Sequence, residues 1–137
     1  MEPSETVTAF IEALTGGDLE TAASLCHEDL VFENIPLDPV SQQGRDRILE
    51  GLGRLIAMCS NVEWEILFQK QSGSSVANER IDRFRFDDGL EAEVPVMARW
   101  EVLDGRITLW RDYYDLSMWD RHFVGGYHAY MHRRSAG

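Results

Sequence analysis

The sequence predicts an α+β fold: a curved antiparallel sheet forming a cone, with N-terminal helices packed over its concave face. Three observations predict it. Up to Cys59 most apolar residues recur at helical spacing. From Val62 the apolar period changes to about two. The long runs that follow are joined by the short turn sequences SGSS, DDG and DG. A length of 137 residues, with 44% hydrophobic and 27% charged, suits one domain over 1–137 with one core.

Val7, Phe10, Ile11 and Leu14 stand at i, i+3, i+4 and i+7, which predicts a helix over 6–14. TGGD stops it, and Asp18 caps a second short helix reaching Leu25. LVFEN reads as a short strand and PLDPVSQQG as a turn-rich connection. Ile48, Leu52, Leu55, Ile56 and Cys59 form the stripe of a third helix. Val62, Trp64, Ile66 and Phe68 then alternate with Glu63, Glu65 and Gln69, giving a strand with one wet face. SGSS leads into the strand 76–86, DDG into 90–103 and DG into 106–114, an antiparallel meander. The segment 117–134 reads as helix broken at Gly125-Gly126.

A net charge of -11 argues against nucleic acid and anionic membrane as partners, since both demand basic patches. The opening MEPSETVTAF is acidic and lacks a positive segment before an apolar run, so the expected setting is cytoplasm. There Cys26 and Cys59 are expected as free thiols. His128 and His132 have i, i+4 metal spacing but no third ligand pattern, so no metal is expected; His27 and His122 read as structural. No glycine-rich nucleotide loop occurs, and no cofactor is expected.

The strand 76–86 contains an anomaly. One face carries Val76, Asn78, Arg80, Asp82, Phe84 and Phe86, so Arg80 and Asp82 point inward on an apolar face. The last strand repeats it: Thr108, Trp110, Asp112 and Tyr114 share a face, which sets Asp112 between aromatic side chains. Burial disfavours a charged Asp112, which suits a general acid, whereas Arg80 favours an ionised Asp82, which suits a general base. Two carboxylates pushed apart in this way form an acid/base pair. An Arg flanked by two Asp equally reads as a structural ion-pair network, and spacing leaves both readings open. Leu55, Met58, Val94, Val96, Trp110 and Trp119 fit either a pocket lining or plain core.

NERIDRF, followed by VPVMARWEVLDGRITLWRDYYDL, resembles the limonene-1,2-epoxide hydrolase family, within the wider nuclear-transport-factor-2-like fold of α+β cones. LVFENIPLDP and the GRD at 44–46 extend the resemblance to about residues 5–120. It implies a cofactor-independent hydrolase that adds water to a small apolar epoxide, terpenoid or alicyclic, in one step. The product is a vicinal diol, and the enzyme a homodimer. By motif, Asp82 would activate water, Asp112 would protonate the epoxide oxygen, and Arg80 would bridge them. Asn34 matches the family's water-holding Asn, while Phe32 stands where the family has Tyr; a hydroxyl stands instead at Tyr114, where the family has Phe. Phe32 and Tyr114 are both expected in the pocket wall. Because a fold does not fix chemistry, the alternatives are an isomerase or cyclase of a steroid-like or polyketide substrate, or a non-catalytic ligand-binding module.

Overall fold

The computed structural model describes residues 1–37 and 41–136. Its helices are α1 (Pro3–Thr15), α2 (Leu19–Ser24), α3 (Arg45–Ala57), α4 (Leu116–Asp120) and α5 (Tyr127–Ala136). Its strands are β1 (Cys26–Asn34), β2 (Ser41–Gln43), β3 (Cys59–Ser72), β4 (Ser75–Phe86), β5 (Glu91–Leu103) and β6 (Arg106–Tyr113). They form one six-stranded sheet in the order β2-β1-β6-β5-β4-β3. The meander β3 to β6 is antiparallel as the turn sequences imply, and the DG turn sits at positive φ in both residues, Asp104 at 52° and Gly105 at 76°. β1 enters beside β6 as the one parallel pair, making the sheet mixed.

α1 packs on β3 to β6 and α3 on β1 and β3, so the helices fill the concave side. The Asp18 carboxylate caps α2 by accepting from the Thr21 amide at 3.1 Å. Val7, Phe10, Ile11 and Leu14 of α1 are all buried, and Phe10 meets Trp100 and Trp110 edge-on.

Four local expectations need correction. Cys59 begins β3 instead of ending α3, because α3 caps at Met58. Within the turn-rich connection, 41–43 pair with β1 as a strand, while 38–40 lie outside the described residues. In β3 the register slips between Ile66 and Phe68, so Leu67 and Phe68 face solvent and Gln69 turns inward. Gln69 there donates to the Ser4 carbonyl and the Thr8 hydroxyl, both at 3.0 Å. In β6 a similar slip makes Thr108 an unpaired bulge residue and puts Ile107 inside.

Candidate active site

The inward face of β4 is as its alternation implies: Val76, Asn78, Arg80, Asp82, Phe84 and Phe86 are all buried. Arg80 is fully enclosed, with its guanidinium over the Trp64 ring at 5.0 Å and the Trp100 ring at 5.8 Å. It donates twice to Asp82, Nε to Oδ1 at 2.9 Å and Nη2 to Oδ2 at 3.0 Å, and once to Asp112 Oδ2 at 3.2 Å. Asp112 comes from β6, two strands away, and also accepts from Trp110 Nε1 at 2.7 Å. One guanidinium therefore joins two carboxylates, each nearly enclosed. Burial would lower the Arg80 pKa, but Asp112 and Asp82 overcome that and hold it raised. Burial pushes the Asp112 carboxyl above its usual range, and the charge of Asp82 adds to the push against the opposing pull of Arg80.

Asn34 lies on β1 at the position paired with Asp112. Parallel partners share a face, as the stacking of Phe32 on Trp110 at 4.0 Å, two pairs along, makes plain. Asn34 thus stands beside Asp112, whereas Asp82 lies across β5. Val94 and Val96 are the β5 partners of Asp82 and Arg80, and both are buried. Trp119 of α4 closes on Phe84 edge-on at 5.2 Å. Leu55, Met58 and Tyr114 are half-buried against the same core. Burial, then the Asp112 charge, raises the Tyr114 phenol well above its usual range.

Two residues of this face carry more than their alternation conveys. Asn78 donates to Gln69 at 3.0 Å and accepts from Trp100 Nε1 at 3.2 Å, making a second polar tier beneath Arg80. Its place on the inward face of β4 was the available signal. Trp64 lies opposite Asp82 on β3, and only its alternation pointed to it. A separate recess of about 490 Å³ surrounds Arg83, Glu93 and His122. Its Arg83 already pairs with Glu63, Glu65 and Glu93, so it offers no free charge there. Among the described residues, no cluster of three or more His, Cys, Asp or Glu could hold a metal, and His128 and His132 are exposed on α5.

The family model for the limonene-1,2-epoxide hydrolase catalytic domain matches residues 1–122. Epoxide hydrolase EphG of Mycobacterium tuberculosis is 34% identical over 112 residues, 80% of this chain and 71% of that protein. A solved LEH-like epoxide hydrolase of M. tuberculosis superposes with a TM-score of 0.77 at 31% identity, covering 93% of this chain and 92% of the other. A Catenulispora acidiphila protein of ketosteroid isomerase-like fold superposes with a TM-score of 0.75 at 25% identity, covering 89% and 93%.

Proposed function

Since the chain belongs to the limonene-1,2-epoxide hydrolase family, we propose that it adds water to a small apolar epoxide, terpenoid or alicyclic, and releases a vicinal diol. The observation that carries this reading is the buried bridge from Arg80 to both Asp82 and Asp112. One carboxylate is enough to neutralise the guanidinium. A second carboxylate, held beside it at the cost of its own desolvation, is what an acid/base reaction needs. The reaction consumes only water, so two carboxylates sharing one proton are sufficient for it.

Asp112 and Asn34 hold the attacking water, and ionised Asp112 takes its proton. The oxygen attacks an epoxide carbon, the ring C–O bond breaks, and its electron pair goes to the ring oxygen, which takes the proton of Asp82. Arg80 fixes both carboxylates, and the proton left on Asp112 returns to Asp82 for the next turnover. This reverses the roles the family resemblance implies from sequence. Support for the reversal comes from the register, because Asn34 neighbours Asp112 and not Asp82. A raised Asp112 pKa also makes its carboxylate a stronger proton acceptor.

Azide tests both the function and the roles, because an anionic nucleophile needs no base. Wild type should turn a panel of alicyclic epoxides into diols. Asp112→Asn and Asp82→Asn should each lose diol formation by ~10²- to 10⁴-fold. With azide, Asp112→Asn should yield azido alcohol and Asp82→Asn should not. The opposite pattern returns the base to Asp82, and no diol from wild type contradicts the hydrolase reading. Phe32, in place of the family Tyr, favours a second reading in which the same buried carboxylates serve an isomerase or cyclase of a steroid-like or polyketide substrate. The pair then moves a proton within such a substrate and makes no diol.

We further propose a homodimer, supported by an exposed, largely apolar row on the outer sheet face, and a cytoplasmic setting, supported by the free thiols of Cys26 and Cys59. No helix of the described residues is long and apolar enough to cross a membrane.

A further inference from the structure

Trp64 Nε1 is the one buried side-chain nitrogen or oxygen among the described residues with no hydrogen-bond partner. The side chain is 9% exposed and inward on β3, directly opposite Asp82. Its ring lies beneath the Arg80 guanidinium and within 6.0 Å of the Trp110 ring. The indoles around it are differently placed: Trp100 Nε1 donates to Asn78 and Trp110 Nε1 to Asp112. A buried donor left unpaired bears the full loss of its hydration, so each one calls for a reason. Here the unpaired donor belongs to the β3 partner of Asp82, the residue that faces the epoxide oxygen in the reading above, on the side of the sheet away from Asn34.

We propose that the Trp64 indole N–H is a catalytic hydrogen-bond donor to the epoxide oxygen, working beside the Asp82 carboxyl as that oxygen becomes an alkoxide. The inference rests on the assignment of Asp82 to the oxygen side of the substrate. As the ring C–O bond breaks, negative charge gathers on the oxygen. Two donors then share it, the Asp82 O–H, which transfers its proton, and the Trp64 N–H, which keeps its own. Charge appears only on the way to the transition state, so the donor acts on kcat more than on KM. In the resting protein the same N–H has no partner, so it is already desolvated before substrate arrives.

Trp64→Phe keeps an aromatic ring under Arg80 and removes the donor together with part of the buried indole. It should lower kcat for an alicyclic epoxide by ~10²-fold, with KM changed by less than ~3-fold. Activity within ~3-fold of wild type overturns the proposal. A second measurement needs no turnover. The bicyclic ether 7-oxabicyclo[2.2.1]heptane carries a ring oxygen but is not opened, and norbornane is its hydrocarbon match. In nitrogen-15 spectra of wild type, the Trp64 indole signal should move downfield with the ether and not with norbornane. An unmoved signal, or an equal shift with both compounds, overturns the proposal even where Trp64→Phe folds poorly. If wild type makes no diol, the hydrolase reading fails, and the spectrum still decides whether Trp64 donates to a ring oxygen.

Discussion

Asp112 shows how burial and pairing compete at a single carboxylate. Its oxygens accept from Trp110 and Arg80, yet enclosure and the neighbouring Asp82 win, and its pKa rises. The consequence for stability has a definite sign. In the unfolded chain the group titrates near ~3.9, so the folded protein binds this proton more tightly. The stabilising share is present below the unfolded value and is lost as pH rises through the higher folded value. Asp112→Asn cannot titrate. Wild type should therefore lose stability relative to Asp112→Asn as pH climbs above ~4, with the gap levelling once Asp112 is ionised. Urea midpoints of both proteins across that range check this; a constant gap, or one of opposite slope, contradicts it. The place of Arg80, Asp82 and Asp112 was legible because alternation along a strand dictates which side chains point inward. The solitude of the Trp64 N–H was not legible, because alternation gives a direction and says nothing about what stands at the end of it.

The strands show where alternation fails. β4 runs unbroken, and every inward residue could be read from period two. β3 carries two one-residue slips, at Ser60 and Leu67, and β6 one, at Thr108, and a slip moves every later side chain to the other face. Nothing in the local composition marks Leu67 or Thr108 as bulges, so Phe68 was expected inside and Gln69 outside. The slip at Leu67 has a further effect. It puts Phe68 on the outer face opposite Glu79, which pairs with Met97, which pairs with Tyr113. Phe68, Met97 and Tyr113, with Ile35 beyond β1, are 41% to 49% exposed and form a row across the outer sheet that is apolar except for Glu79 on β4. We propose this row as the interface of the homodimer. Met97→Glu, at its centre, should convert a dimer to monomer in sedimentation velocity while leaving the circular dichroism spectrum unchanged. A variant that sediments as wild type does contradicts this interface.

Across the whole molecule, the architecture serves one end. Four antiparallel strands deliver β4 and β6 to the same concave face, and the parallel entry of β1 brings Asn34 beside Asp112. Helices on that face keep the guanidinium and both carboxylates out of bulk water. The order of helices and meander was legible from the change of period near Val62. The parallel pairing of β1 was not, since its partner lies more than seventy residues away and no turn joins them. In the proposed mechanism that pairing, which the sequence hides, separates the water side of the site from the oxygen side. The chemistry we propose for it is direct attack by water with no covalent intermediate. A single turnover in heavy-oxygen water, with enzyme in excess over epoxide, tests this most directly by mass spectrometry of diol and intact protein. Direct attack predicts one heavy oxygen in the diol and none in the protein; heavy oxygen in a carboxylate of Asp82 or Asp112, with a first-turnover diol free of label, would contradict it.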